Sequence, residues 1–234
     1  MIGRPRVHHR LTDSTNERAK ELGAAGAPHG TLVTADEQSA GRGRQGRAWT
    51  APPRSSVLMS ILLRELDERD ELLPLAAAIA VCDACECEGS LMATCAVKWP
   101  NDVWINGKKV AGILIEGRPQ EGWAVLGIGL NVWVDTDDFP PELRETATSL
   151  LIEYGAPPIE DMLYGIVDHL DGWLGAPRDS VLAAWRSRDA LKGERVRWSD
   201  GEGIAGGIDE SGALLVETRD GPVTLDAGEV HLLR

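Results

Sequence analysis

The chain has 234 residues, of which 43% are hydrophobic and 26% are charged, and its formal net charge is −13. This composition is typical of a folded globular protein and excludes a disordered, fibrous or collagen-like chain. The charge is unevenly distributed, because residues 1–60 carry a net charge of +4 and the remaining 174 residues carry −17. An acidic chain with one early group of arginines is not expected to bind nucleic acid broadly, since that requires an extended basic face. The pattern suits a small anionic ligand better.

The sequence contains no membrane or secretion signal. No uninterrupted apolar run approaches the roughly 20 residues that a transmembrane helix needs, and residues 1–6 lack the apolar core of a signal peptide. We therefore expect a cytoplasmic protein that makes no contact with a membrane.

Four cysteines lie close together, at positions 82, 85, 87 and 95. The first two form a CxxC pair, which is compatible with a metal or redox site. No histidine lies near them and the flanking residues are typical of a helix, whereas zinc sites need a second ligand pair at suitable spacing. Reduced thiols partly buried on a helix are the favoured interpretation.

The first third of the chain predicts helix, strand, loop and strand in that order. Ser14 and Glu17 have the spacing of a reciprocal helix cap, and the helix should end near Gly26. A strand is predicted over 31–35 and another over 56–64. Between them, residues 37–53 show no periodicity and predict a long loop, a feature that is often functional in a compact domain.

The rest of the chain predicts an α+β domain followed by a small β-rich unit. An alanine-rich helix over 71–88 should bury one face, formed by Leu72, Leu75, Ala76 and Ile79. Strands are then predicted over 96–99, 103–105, 109–116 and 123–134, with a type I′ hairpin at Asn106-Gly107, and helices over 142–191. Five short strands follow, over 195–198, 203–208, 213–217, 223–225 and 230–233. This order indicates a mixed or antiparallel sheet with helices, and then a small barrel beginning near residue 192.

The segment Ser39 to Arg47 combines glycines with arginines. Glycines at 41, 43 and 46 allow close approach of a ligand to the main chain, and the three arginines provide bidentate donors for phosphate or carboxylate. A flexible solvated turn and an RNA-binding patch of the RGG type are the alternatives, and the loop alone does not decide between them.

Two further segments suggest chemistry. Lys98 and Asp102 flank a turn containing Pro100, an arrangement that suits a phosphate and its Mg²⁺ or a strand end with surface charges. Lys109 enters an apolar strand, where a buried ammonium needs an anionic partner. The segment 127–131, GIGLN, places glycines inside a strand, which indicates close approach of a ligand or a bulge.

Together these segments resemble the biotin protein ligase family. The motifs stand in family order, as Ser14-Thr15-Asn16, Gln38 with GRGRQGR, KWPND, KKVAGILIE and GIGLN. The resemblance implies a class II synthetase-like biotin/lipoate ligase catalytic domain over residues 1–191 and an SH3-like β-barrel over 192–234. The resemblance is to those ligases of the family that lack an N-terminal DNA-binding domain. Trp133 departs from the pattern, because many members carry an asparagine there.

The resemblance also implies a reaction and its partners. Biotin and ATP would form biotinyl-5′-adenylate with the help of Mg²⁺, and a lysine of a biotin carboxyl carrier domain, such as that of acetyl-CoA carboxylase, would accept the biotin. Family members are often homodimers, so a homodimer is compatible with the chain, and no DNA partner is expected. The rival hypotheses are a lipoate ligase or octanoyl transferase and a nucleic-acid-binding module.

Residue roles carried over from the family fall into overlapping groups. Lys109, Arg42 and Arg44 would act in catalysis, and Asp102 would bind the metal ion. The residues implied for biotin are Ser14, Thr15, Asn16, Gln38, Gly41, Arg42, Gly43, Arg44, Lys109 and Gly112. Those implied for ATP are Arg44, Gly46, Arg47, Trp49, Lys98, Asn101, Asp102 and Asn131. Trp49 would cover the adenine or, alternatively, be a simple core tryptophan.

Overall fold

A seven-stranded mixed sheet forms the centre of the molecule. The structure, a computed structural model, describes residues 2–66, 71–88, 95–118, 122–155 and 157–233. The strands of the sheet are β1 (Arg6–His9), β2 (Leu32–Ala35), β3 (Ser56–Arg64), β4 (Ala96–Lys98), β5 (Asp102–Ile105), β6 (Lys108–Arg118) and β7 (Trp123–Asn131). Their order across the sheet is β1-β2-β3-β7-β6-β5-β4. Only the pair β1 and β2 is parallel among the pairings of these described strands. The prediction of an α+β domain on a mixed sheet is confirmed.

The helices cover the sheet and enclose the main core. They are α1 (Thr15–Ala24), α2 (Leu73–Glu88), α3 (Leu150–Tyr154), α4 (Ile159–Leu174) and α5 (Arg178–Arg186). Helix α2 packs against β6 on one side and against α4 and α5 on the other. The predicted buried face of α2 is correct, but the helix is not one-sided. Ala77, Ala78, Ala80 and Val81 are also buried, because α4 and α5 cover the side that a surface helix would expose to water.

The structure decides the predicted cap of α1 and the predicted hairpin turn, and it contains one strand that was not predicted. Ser14 precedes α1, but its side chain makes no capping bond, and Glu17 instead bonds to Lys20, so the reciprocal cap was wrong. Strand β1 was not predicted, because its four residues contain only one apolar side chain. At the hairpin, Asn106 and Gly107 have φ values of 50° and 76°, which confirms the type I′ turn.

The C-terminal strands form a second sheet that packs on the first unit. They are β8 (Arg195–Trp198), β9 (Gly201–Ile208), β10 (Leu214–Thr218), β11 (Gly221–Leu225) and β12 (His231–Leu232), in the antiparallel order β11-β10-β9-β8-β12. All five predicted strands are therefore present. Trp99 Nε1 donates to the Gly212 carbonyl at 3.0 Å, and Leu214 and Val216 belong to the same buried cluster as the residues of α2. The packing brings residues 228–232 towards the face of the main sheet that carries the predicted site residues.

The described part of the chain contains no helix that is both long enough and apolar enough to cross a bilayer.

Candidate functional site

A cleft of about 600 Å³ opens over strands β5, β6 and β7. This volume is in the range of small-molecule and cofactor sites. The glycine-rich loop covers one side of the cleft, and residues 139–147 and 228–232 line other parts of it. The C-terminal unit therefore contributes directly to the wall of the cleft.

The structure brings most of the residues predicted from the sequence into this cleft. Gly41 and Gly46 are not among the lining residues; a Cβ at Gly41 would lie 2.3 Å from the Trp49 carbonyl oxygen, so Gly41 permits close packing within the loop itself. The predicted residues that line the cleft are Ser14, Thr15, Asn16, Gln38, Arg42, Gly43, Arg44, Arg47, Trp49, Lys98, Asn101, Asp102, Lys109, Gly112 and Asn131.

A buried hydrogen-bond network forms one end of the cleft. Gln38 Oε1 accepts from the Thr15 amide at 2.7 Å and from the Thr15 hydroxyl at 3.1 Å. Ser60, which is fully buried in β3, lies 2.8 Å from the Thr15 hydroxyl and 2.6 Å from Asn16 Oδ1. The Asn16 amide nitrogen donates to Glu116 at 2.9 Å. These bonds fix the orientation of three polar side chains that face the cleft, which suits recognition of a polar, uncharged ring.

The arginines of the glycine-rich loop are held by partners from four different parts of the chain. Arg42 pairs with Glu17 of α1 and, at 3.3 Å, with Glu116 of β6. Arg44 donates to Asn101 at 3.2 Å, and Arg47 pairs with Glu229 beside β12.

Within the loop, the Gly43 amide donates to the Arg47 carbonyl at 2.7 Å, and Gln45 and Gly46 adopt positive φ. The loop is therefore folded over the cleft, which is not the arrangement of a solvated RGG patch.

The middle of the cleft contains an ion pair between Lys109 and Asp102. Lys109 Nζ lies 2.6 Å from Asp102 Oδ1, and the two side chains are 35% and 18% exposed. The anionic partner that was predicted for Lys109 is thus Asp102. The pairing of β5 with β6 brings the two residues together. Backbone bonds between Lys109 and residues 146 and 148 hold this part of β6 in place.

Positive charge predominates in the cleft although the chain is acidic. Among the described residues that line it, five are Lys or Arg and three are Asp or Glu. Burial lowers the pKa of the Arg44 guanidinium and that of the Lys98 amine, and Asp102 partly opposes both shifts. A polyanionic ligand that entered the cleft would offset the cost of this burial.

The Trp49 ring packs against two glycines of the sheet. A Cβ at Gly129 would come within 2.5 Å of the Trp49 ring, and one at Gly112 would come within 3.2 Å of it. Lys109 Nζ is 5.8 Å from the ring centroid. The residue is only partly buried and lines the cleft, and its Nε1 has no hydrogen-bond partner in the described part of the chain. Trp49 is therefore a wall of the cleft and not a simple core tryptophan.

Asp102, the predicted Mg²⁺ ligand, lies in the cleft. The described residues contain no group of three or more His, Cys, Asp or Glu arranged to hold a metal ion. Asp102 alone suits Mg²⁺ only in the mode in which one carboxylate, water and substrate phosphates share the ion.

All four cysteines are free; Cys82, Cys85 and Cys95 are buried, and Cys87 is exposed. Cys82 and Cys85 are buried on α2, as expected for thiols partly buried on a helix, whereas Cys95 lies outside that helix, just before β4.

Three residues of the cleft network were missed by the sequence analysis. Ser60 is a polar residue in an otherwise apolar strand, and Glu116 ends an apolar run, so both carried a weak signal. Glu229 carried no signal in the sequence, because its contact with the loop depends on the packing of the C-terminal unit.

Trp133, which departs from the family pattern, is 50% exposed and donates to the Pro157 carbonyl at 2.9 Å.

Comparison with known proteins gives consistent matches over the whole chain. The sequence model of the biotin/lipoate A/B protein ligase family matches residues 8–132, and that of the biotin protein ligase C-terminal domain matches residues 193–233. The chain is 35% identical to the bifunctional ligase/repressor BirA of Bacillus spizizenii, over 99% of this chain and 75% of that protein. It is also 35% identical to the biotin--[acetyl-CoA-carboxylase] ligase of Mycobacterium tuberculosis, over 95% of this chain and 87% of that protein.

A solved structure agrees with the sequence matches. The biotin protein ligase from Aquifex aeolicus, in complex with biotin and ATP, superimposes with a TM-score of 0.86 at 29% identity. The alignment covers 99% of this chain and 100% of the Aquifex chain.

Proposed function

The chain belongs to the biotin/lipoate A/B protein ligase family and is an ATP-dependent biotin protein ligase. We propose that the two steps of its reaction both take place in the cleft described above. In the first, the biotin carboxylate attacks the α-phosphorus of ATP and forms biotinyl-5′-adenylate, and pyrophosphate leaves. In the second, a lysine amine of an acceptor protein attacks the carbonyl of the mixed anhydride, and AMP leaves.

One observation carries this proposal. The Lys109–Asp102 pair, 2.6 Å apart, joins the residues assigned to biotin to those assigned to ATP. Lys109 lies on β6 with Gly112, which we assign to biotin, and Asp102 begins β5 directly after Asn101, which we assign to ATP. The pair thus marks the position at which a carboxylate and an α-phosphate would meet.

The proposed role of Lys109 and Arg44 is to bring two anions together. A carboxylate and a triphosphate repel each other, so the reaction depends mostly on positioning and on neutralisation of charge in the transition state. Lys109 would leave Asp102 to contact the carboxylate, and Arg44, held by Asn101, would contact the reacting phosphate. Both groups are partly desolvated, which strengthens their interaction with a bound anion.

We assign Ser14, Thr15, Asn16 and Gln38 to the ureido ring of biotin. The ring has both donor and acceptor groups, and the network around Thr15 presents hydroxyl and amide groups in fixed directions. The proposed role of the segment from Gly41 to Gly46, with Arg42 and Gly43, is to cover the adenylate and exclude water from the mixed anhydride.

We assign the remaining positions to the nucleotide. Arg47 and Lys98 would contact phosphates, Trp49 would stack on the adenine, and Asn131 would lie close to the nucleotide. Asn131 is buried and donates to the Thr148 carbonyl at 3.0 Å, which supports a role in shaping the wall. Mg²⁺, held by Asp102 and the phosphates, would supply additional neutralisation of the triphosphate.

The acceptor that we propose is a biotin carboxyl carrier domain of acetyl-CoA carboxylase, because relatives such as the Mycobacterium tuberculosis ligase are named for it. We further propose residues 1–191 as the catalytic unit and 192–234 as the SH3-like unit, and a location in the cytoplasm, which the four free cysteines support. A homodimer stays a prediction, which measurement of the mass in solution would test.

The proposal is tested by biotin-dependent exchange between ATP and pyrophosphate. We expect exchange of labelled pyrophosphate into ATP when biotin is present and none when lipoate or octanoate replaces it. Absence of biotin-dependent exchange by the folded protein would refute the proposed reaction. Exchange with lipoate alone would favour the lipoate ligase hypothesis.

A further inference from the structure

Glu116 lies where the cleft network and the glycine-rich loop meet. It stands on β6, and its side chain is 21% exposed. One carboxylate oxygen accepts from Asn16 Nδ2 at 2.9 Å. The other lies 3.3 Å from Arg42 of the loop and 3.3 Å from Lys20 of α1. A single carboxylate thus connects a residue that lines the cleft with a residue of the loop that covers it.

The orientation of Asn16 depends on this carboxylate. Asn16 Oδ1 lies 2.6 Å from the Ser60 hydroxyl, so the amide nitrogen must point the other way, towards Glu116. The residue is buried, and the glycine at 127 leaves room for its side chain, since a Cβ there would lie 2.1 Å from Oδ1. Without an acceptor at Glu116, the amide nitrogen would face a partly buried region unpaired, and the side chain could rotate.

The position of Arg42 depends on the same carboxylate. Its guanidinium contacts Glu17 of α1 and Glu116 of β6, so two acidic residues from different elements hold the loop down. If the loop opened, one oxygen of Glu116 would lose its ion pair with Arg42 and keep only the contact with Lys20, and the carboxylate could turn away from Asn16. Loop position and Asn16 orientation are therefore linked through one group.

We propose that Glu116 is a positioning residue that couples closure of the glycine-rich loop to the orientation of Asn16 towards biotin. The proposal rests on the proposed function, because it takes Asn16 as part of the biotin site. It predicts that Glu116 affects binding of biotin and retention of the adenylate much more than binding of ATP. Substitution of a residue with a merely structural role would change thermal stability without affecting biotin binding more than ATP binding.

Glu116→Gln is the sharpest perturbation because it is almost isosteric. A carboxylate accepts hydrogen bonds on both oxygens, whereas a glutamine amide has one acceptor and one donor. The oxygen of the glutamine can therefore accept either from Asn16 or from Arg42 and Lys20, and its NH₂ group would face the other donors. The matched control is Glu160→Gln, which also neutralises a glutamate paired with an arginine, here Arg6, outside the lining of the cleft.

The experiment measures biotin-dependent ATP–pyrophosphate exchange and the release rate of biotinyl-adenylate. For Glu116→Gln we expect KM for biotin and the release rate to rise by about tenfold, the effect of losing one hydrogen bond to a charged group. KM for ATP should change by less than about twofold, and Glu160→Gln should match the wild type in all three quantities. Arg42→Ala should raise the release rate much less in the Glu116→Gln background than in the wild type, because the two residues act as one unit.

The outcomes are distinguishable. If the wild type shows exchange but Glu116→Gln matches it, or if KM for ATP and KM for biotin rise equally, the coupling role is wrong while the proposed function stands. Additive effects of Arg42→Ala and Glu116→Gln would also overturn the coupling. If the wild type itself shows no biotin-dependent exchange, the proposed function fails and the role of Glu116 fails with it. A fall in melting temperature of Glu116→Gln with unchanged kinetics would assign Glu116 to stability alone.

Discussion

Gly127 in β7 has no room for a side chain, and this makes Gly127→Ala a quantitative test of the cleft. The added Cβ would lie 2.1 Å from Asn16 Oδ1 and 2.9 Å from Asn16 Cγ. Ordinary contact begins near 3.4 Å, so Oδ1 would have to move away by about 1.3 Å, the difference between 3.4 Å and 2.1 Å. Such a displacement breaks the 2.6 Å contact with Ser60 and misaligns the 2.9 Å bond to Glu116.

The expected loss of stability follows from these contacts. Two weakened hydrogen bonds cost about 0.5–1.5 kcal/mol each, and overpacking costs about 1–3 kcal/mol, which gives about 2–6 kcal/mol in the free energy of unfolding. At the lower end the Tm falls by about 4–8 °C for a chain of this size. Affinity for biotin should fall at least about tenfold, since Asn16 no longer faces the cleft in the same orientation.

The assay combines thermal unfolding with calorimetric titration of biotin. Gly206→Ala is the matched control, because a Cβ there meets nothing nearer than 3.6 Å. In the Asn16→Ala background, Gly127→Ala should cost much less stability, because the clashing atoms are gone. If Gly127→Ala unfolds at the same temperature as Gly206→Ala and binds biotin with wild-type affinity, the steric reasoning is refuted.

Three further predictions concern the charged groups. Lys109→Ala should slow adenylate formation by at least about 100-fold without unfolding the protein, whereas Lys108→Ala should leave the rate of adenylate formation unchanged. Equal rates for the two variants in single-turnover assays would show that Lys109 does not have its assigned role. Arg42→Ala should speed release or hydrolysis of biotinyl-adenylate relative to Arg54→Ala, an exposed control, and unchanged retention would contradict the covering role of the loop. Because burial lowers the pKa of Lys98 from 10.5, its charge is lost at a lower pH than that of an exposed lysine, so kcat/KM for ATP should fall as pH rises through a pKa below 10.5. Lys98→Arg should move that alkaline limb to higher pH, and an identical limb in wild type and variant would exclude Lys98 as its source.

Local sequence was sufficient for much of the fold. The hairpin at 106–107 depends on two adjacent residues with positive φ, and β3 follows from a nine-residue, mostly apolar run, so both could be read from a short window. The motifs that identified the family are also short, because each loop or turn must present its groups to a ligand within a few residues. These features do not depend on which distant elements pack together.

Tertiary structure decided which groups meet. The bond between Asn16 and Glu116 joins residues 100 apart in sequence, and the one between Arg47 and Glu229 joins residues 182 apart. Such pairs follow from the register of β6 against β7 and from the docking of the C-terminal sheet, neither of which a local pattern specifies. For the same reason α2 was predicted with one buried face although α4 and α5 cover the other.

The sequence by itself therefore determined the chemical groups of the site and the family to which they belong, because those groups lie in short segments such as 41–47 and 98–102. Only the tertiary structure decided how the charges are paired. Lys109 has Asp102 as its partner, Arg42 has carboxylates from α1 and β6, and Arg47 has one from the C-terminal unit. The physical reason is that the energy of a charge depends on its neighbours in space, and these are set by strand order and not by position along the chain.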